Sequence, residues 1–228
     1  MPVNKIETDI LVVGAGLTGL MAAHTLQQRG RRVVVVDKGR SVGGRLATRR
    51  IGPGRADHGA QFFTIRSPEF QSQAERWLIE GLVYRWSNGW SDGSLAPVNF
   101  DGHPRYAVNG GMNRLAKYLA QGLETQVNVR LVAVSATAGG WQCLAENGAS
   151  YSSKALLLTP PLPQALALLE AGHTRLAPAD RAGREEVAYA PWMDQSTCRN
   201  LGQSSTPMRP SVGLPTTNAK ASPQWRPL

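Results

Sequence analysis

Five residues near the start of the chain are typed and spaced to bind a dinucleotide: Gly14, Gly16, Gly19, Asp37 and Arg45. The three glycines stand as GxGxxG directly after the apolar run Ile10–Val13. Gly14 permits a tight turn. Gly16 has no side chain to hold a pyrophosphate off the backbone, and Gly19 lets the next helix pack close to a sheet. That helix starts under the phosphates, with unpaired N–H groups and the positive end of its dipole. Leu20, Ala23 and Leu26 give it an apolar face, Gly30 ends it, and Val33–Val36 reads as a second buried strand. Asp37 stands at that strand's tip, 18 residues beyond Gly19. A carboxylate there can accept hydrogen bonds from ribose hydroxyls, and an acid in place of a base suits an unphosphorylated ribose. Ala15, inside the turn, and Lys38, just past the tip, complete the expected binding set.

A second glycine turn, RSVGGR (residues 40–45), follows the acidic tip at once. A ribose and nicotinamide would not need it. A longer cofactor with a ribityl chain would meet it at Gly44, and Arg45 could pair with its pyrophosphate. Here the sequence resembles a known group. DKGRSVGGRLATRR (37–50) looks like the GG-motif flavoproteins, which include the amine oxidases, and DHGAQFFT (57–64) narrows the likeness to renalase-like FAD oxidoreductases. The resemblance implies FAD contacts at Thr18, Asp37, Arg45, Gln61 and Phe62, and places Val132 by the adenine. It also implies a Rossmann-like FAD/NAD(P)-binding α/β fold of three layers, with a partial inserted substrate domain. The FAD-binding part is then residues 1–65 and 107–162, and the substrate part 66–106 and 163–193.

Composition narrows the alternatives. A chain of 228 residues with 42% apolar residues can build one large domain or two small ones. Cys143 and Cys198 fit no CxxC pattern, so neither a disulfide framework nor a zinc site is expected, and a reducing, cytoplasmic setting is. His24, His58, His103 and His173 are scattered, which speaks against a metal site. The net charge of +9 comes from basic residues that are dispersed, without interleaved aromatics, so no nucleic-acid partner is expected. The charge suits an anionic cofactor or substrate. The apolar stretch Ile10–Ala23 is broken by glycines and too short to span a bilayer, so no membrane partner is expected.

Along the chain, residues 46–61 read as an extended loop broken at Ile51-Gly52-Pro53-Gly54, lying over the cofactor, with Gly59 giving the isoalloxazine room. His58 reads as an exposed loop residue rather than a catalytic one. Ser67-Pro68-Glu69 starts a helix with Phe70, Ala74, Trp77 and Leu78 on one face. Residues 82–106 read as short strands with a hairpin turn at Asn88-Gly89. Trp86, Trp90, Phe100 and Tyr106 suit sheet packing better than a flat-ring pocket. Gly110-Gly111 opens a helix with Met112, Leu115, Ala116 and Leu119 on one face. Strands follow at Val127–Val134, Trp141–Ala145 and Ala155–Leu158, and a helix starts at Pro163.

Residues 194–228 are rich in Pro, Ser and Thr and read as low-complexity sequence. Members of the resembling group return to the FAD domain through a strand, a Gly-Asp turn and a helix. The abrupt change of character suggests truncation with a frameshifted tail, in which case an adjacent reading frame of the gene encodes that missing segment.

The function expected is FAD-dependent oxidation. A hydride passes from an amine or dihydronicotinamide substrate, such as a dihydronicotinamide dinucleotide, to the flavin and on to O2. Hydride loss from an electron-rich donor needs no catalytic base, and none is assigned. The rivals are a nucleotide-binding module without turnover and an NAD-dependent dehydrogenase, the latter disfavoured by RSVGGR.

Overall fold

The computed structural model describes residues 5–90 and 99–178, with Trp90 and residues 99–101 described by backbone alone. The tail at 194–228 and Cys198 lie outside the described residues. Eleven strands and four helices are named in chain order: β1 (Lys5–Val13), α1 (Leu17–Gln28), β2 (Val33–Val36), β3 (Thr48–Ile51), β4 (Gly54–Asp57), β5 (Phe63–Thr64), α2 (Pro68–Ile79), β6 (Val83–Trp90), β7 (Asn99–Val108), α3 (Asn113–Leu119), β8 (Glu124–Gln126), β9 (Leu131–Thr137), β10 (Gly140–Ala145), β11 (Ser150–Leu158) and α4 (Leu162–Ala171).

The main sheet runs β8-β2-β1-β11-β10-β9. Its β8, β2, β1 and β11 are parallel, and β10 and β9 join antiparallel. Alternation along the parallel strands sorts the core into two sets. Val12, Val33 and Val35 pack with Leu20 and Ala23 of α1, Ala74 and Trp77 of α2, and Leu115, Ala116 and Leu119 of α3. Leu11, Val13, Val34 and Val36 point the other way, against Val134, Cys143, Tyr151 and Leu169 of α4. A strand buried on both faces reads as an unbroken apolar run, which is why VVVV at 33–36 was legible. This is the Rossmann-like α/β fold with a mixed, mainly parallel sheet.

α2 follows its start signal: the Ser67 hydroxyl accepts the Phe70 N–H at 3.3 Å, with Pro68 first in the helix. Midway along β1, hydrogen bonds from the Lys154 ammonium and the Arg32 N–H hold the Asp9 carboxyl below its ordinary range.

Three expectations are corrected. Residues 46–61 are not one extended loop: β3 and β4 form a hairpin that turns at Gly52-Pro53, in register Thr48↔Asp57 and Arg50↔Arg55. The breakers at 51–54 close a turn instead of ending regular structure. Asn88-Gly89 is not the turn of the next hairpin, because both residues lie inside β6, where Gly89 pairs Phe100. The ladder absorbs them by register shifts around Ser87, whose hydroxyl bonds Gly89. Val127–Val134 is not one strand: β8 ends before it at Gln126, residues 127–130 form a connection through Asn128, whose φ of 58° is left-handed, and the strand β9 begins only at Leu131.

Of the four aromatics read as sheet packing, Tyr106 is buried and stacks on Phe63 at 5.8 Å. Trp86 is 49% exposed and stacks on Phe62. The side chains of Trp90 and Phe100 lie outside the description.

The hairpin is fastened to α3 by its own side chains. α3 has no side-chain cap from its N-cap residue Met112. Its first amides are served from a distance: Met112 N–H donates to Asp57 Oδ1 at 2.9 Å, and Asn113 N–H to Thr48 Oγ1 at 3.0 Å. The Thr48 hydroxyl in turn bonds Asp57. Asp57→Ala strands a part-buried amide and a hydroxyl, so urea unfolding should show a loss of about 1–3 kcal/mol. His58→Ala, at an exposed neighbour, should stay within about 0.5 kcal/mol.

Candidate functional site

The C-terminal ends of β1, β2 and β11 meet at a crevice, the place where ligands bind in open α/β sheets. Gly14 turns there with φ of 103°, and its N–H donates to Val36 O at 2.8 Å. Beside it Thr159, at the end of β11, donates its hydroxyl to Val13 O at 2.8 Å.

The fingerprint glycines divide by what requires them. A Cβ at Gly14 would strike the Thr159 hydroxyl, and one at Gly19 would run into the Gly14 carbonyl. Those two are demanded by the chain's own packing. Gly16 is different: its φ of −79° suits any residue, and a Cβ there would point into open space. No atom of the described residues explains its lack of a side chain, which leaves an open cradle there. Gly16 is also the N-cap of α1, and it has no side chain to cap with. The first turn of α1 carries no acid, so its leading amides and positive dipole end, with Thr18 exposed among them, are open to an anion.

Asp37 is half-buried and anchors this crevice. Its Oδ2 accepts the Ala15 N–H and its Oδ1 the Gly39 N–H, both at 2.6 Å. A carboxylate has about four lone-pair positions. Two are used by backbone, which leaves acceptor capacity for ribose hydroxyls. Lys38 turns away, its ammonium 2.9 Å from Gln164 Oε1.

The second glycine turn is locked to the first. Gly43 N–H donates to Ala15 O at 2.8 Å, and Gly16 and Gly43 form an isolated parallel bridge. Gly43 (φ 122°) has no room for a Cβ beside Asn113, whose amide donates to Val42 O at 2.7 Å. Gly44 (φ 50°) sits beside Gly16, and a Cβ on it would lie 3.6 Å from the Gly16 Cα. The Arg45 side chain is exposed and has no partner among the described residues. Its carbonyl accepts the Ala60 N–H at 2.8 Å, which carries the path on to Gln61 and Phe62. Gly59 is required by this same joint, since a Cβ there would meet the Arg45 carbonyl. The room expected for an isoalloxazine is used by the chain's own backbone.

Gln61 opens onto a cavity of about 530 Å³ between the β3–β4 hairpin and the β5-β7-β6 sheet. Thr48, Arg55, Asp57, Tyr84 and Trp86 also line it. Phe62 stacks on Trp86 at 5.7 Å. Val132 is not drawn into the crevice: it sits 39% exposed on the edge strand β9. Val129 is the residue whose N–H reaches the Asp37 carbonyl, at 2.9 Å. The crevice thus gathers Gly14, Ala15, Gly16, Thr18, Gly19, Asp37, Gly44 and Arg45, while Gln61 and Phe62 stand at the neighbouring cavity.

Sequence reading missed Thr159, Asn113 and the Thr48–Asp57 pair. Each acts through contacts dozens of residues away, so no local pattern marks it. Cys143 offers no chemistry: it is buried, and burial pushes its thiol up to about 12. Among the described residues, no cluster of three His, Cys, Asp or Glu is placed to hold a metal, and no helix is long and apolar enough to cross a membrane.

Known proteins resemble this chain in sequence over its first part and in fold. Residues 12–77 match the NAD(P)-binding Rossmann-like domain family. Putrescine oxidase of Kocuria rosea is 42% identical over 109 residues, 48% of this chain and 22% of that protein. Flavin-dependent L-tryptophan oxidase of Lentzea aerocolonigenes is 39% identical over 65 residues, 28% of this chain and 14% of that protein. A structure from a redesign of cofactor binding in putrescine oxidase superposes with a TM-score of 0.61 over 79% of this chain and 63% of that one, at 15% identity. The chain spans between 7% and 22% of the curated relatives that head these matches. Over the matched part it is homologous to FAD/NAD(P)-binding enzymes of the amine-oxidase group.

The glycines give a direct prediction. Gly19→Ala should cost more than about 2 kcal/mol in urea unfolding, because backbone must shift. Gly16→Val should leave stability within about 1 kcal/mol and abolish nucleotide binding, read by calorimetric titration with ADP.

Proposed function

We propose that the chain is the dinucleotide-binding portion of an FAD-dependent oxidoreductase of the amine-oxidase kind. The observation that carries this is the open cradle at Gly16, joined by the Gly16–Gly43 bridge to a second glycine turn ending in Arg45, which has no partner among the described residues. The first turn alone would suit any dinucleotide. The second extends the site past the phosphates, as a cofactor with a ribityl chain requires, and its guanidinium is free to meet a pyrophosphate.

In this reading the amides at the start of α1 and the Arg45 guanidinium hold the pyrophosphate, and Asp37 accepts the ribose hydroxyls. FAD, held there, would supply the redox chemistry, a two-electron oxidation of the substrate with O2 as the final acceptor. The protein's part is binding, orientation and exclusion of water. Gln61 and Phe62 carry the cofactor contacts on from Arg45, and the cavity beside Trp86 is the substrate-facing side. The substrate is a small amine or a dihydronicotinamide, which the matched relatives and the resemblance of DHGAQFFT to renalase-like proteins support in turn. The protein is read as cytoplasmic, with no nucleic-acid partner.

The purified chain should be yellow or become so on adding FAD, with the absorption of oxidised flavin. Putrescine or a dihydronicotinamide should bleach it under anaerobic conditions. Arg45→Ala should weaken FAD about tenfold or more, the loss of one charge-assisted pair. A colourless protein that binds NAD and not FAD would overturn the reading.

A further inference from the structure

The β3–β4 hairpin breaks a rule of sheet design. Arg50 and Arg55 are direct cross-strand partners, and like charges placed directly opposite destabilise a ladder. Side chains alternate along a strand, so Thr48 and Arg50 share one face with Asp57 and Arg55. That face looks into the cavity, which Thr48, Arg55 and Asp57 line. Its inner row, Thr48 and Asp57, is consumed by the bonds to α3. Its outer row is two guanidiniums.

Neither is neutralised. Among the described residues Arg50 has no partner, and Arg55 has only the Gly110 carbonyl, at 3.1 Å. Arg114 crowds the same glycine: a Cβ on Gly110 would lie 3.0 Å from Arg55 Nη1 and 3.8 Å from Arg114 Nη1. Arg114 donates to the Asn109 carbonyl, again without an acid. Arg55 lines the cavity, Arg114 approaches it at Gly110, and Arg50 lies opposite Arg55 on the same hairpin face, in a pairing that costs stability. A local conflict of this kind, with no acid paired to it among the described residues, is the sort of rule-breaking found at functional sites.

We propose that Arg50, Arg55 and Arg114 form an oxyanion subsite at the rim of the cavity, binding a phosphate or carboxylate group on the molecule the cavity holds. Guanidiniums suit both groups through paired N–H donors. The proposal deepens the functional reading above, and rests on it only in calling that molecule the substrate. It is distinct from the α1 crevice, which takes the cofactor's pyrophosphate.

The test is calorimetric titration of the full chain with inorganic pyrophosphate and, separately, malonate at low salt. The stronger of the two tells which oxyanion the site prefers. Arg50→Glu and Arg55→Gln should each weaken binding about tenfold or more, while Arg49→Gln, on the opposite face, should not. Gly16→Val, which closes the cofactor crevice, should leave the rim binding in place. Arg50→Glu should also raise the melting temperature at low salt, because it turns a repulsive cross-strand pair into an attractive one. Binding that survives Arg50→Glu and Arg55→Gln but is lost in Gly16→Val would overturn the proposal and leave the flavin reading standing. So would absence of binding by both anions in Gly16→Val, where only the rim site is left to bind them, or a fall in melting temperature on Arg50→Glu. Failure of the chain to take FAD would overturn the flavin reading alone, since the titration does not depend on it.

Discussion

The Asp37 carboxylate sets the geometry of the whole crevice. It ends β2 and accepts one amide from each of two loops, Ala15 from the first glycine turn and Gly39 from the approach to the second. An ionised acceptor makes these bonds stronger than neutral ones. The Asp37 backbone carbonyl also receives Val129 N–H, and its own N–H goes to Gln126 O. One residue therefore fixes where the phosphate loop sits relative to the sheet, the second loop and the strand that flanks β2. Everything proposed about cofactor binding follows from that placement.

The two glycine turns then act as one surface. Gly43 bonds Ala15 and lies beside Gly16, and the hairpin that follows is fastened to α3 by Thr48 and Asp57. α3 packs in the same core as α1 and α2. The cavity wall is thus held by the helices that support the crevice. A ligand reaching from the crevice to the cavity would meet a continuous, pre-positioned lining, which reduces the ordering cost of binding.

The fold was legible where the signal was periodic or forced. VVVV at 33–36, Ser67-Pro68-Glu69 and the Met112–Leu119 face each answer to a burial or capping requirement contained within a few residues. The fingerprint was legible for the same reason, since GxGxxG, a strand and an acid at a strand tip are all local. The rest was not, because its determinants are non-local. Gly52-Pro53 looks like a loop until Arg50 and Arg55 are known to pair. Asn88-Gly89 looks like a turn until Ser87 and the β7 ladder hold it extended. Gly59 and Gly16 are equally bare in sequence. Only the structure shows that Gly59 is needed by the Arg45 carbonyl, and that no atom of the described residues needs Gly16. That Val129, and not a neighbour, bonds the Asp37 carbonyl is likewise visible only in the structure.

A crystal structure of the chain grown with ADP tests this account most directly. The diphosphate should lie over the Gly16 Cα, bonded by the first amides of α1, with the ribose hydroxyls on Asp37. A diphosphate seated elsewhere, with Gly16 facing solvent and Asp37 bonded only to Ala15 and Gly39, would contradict it.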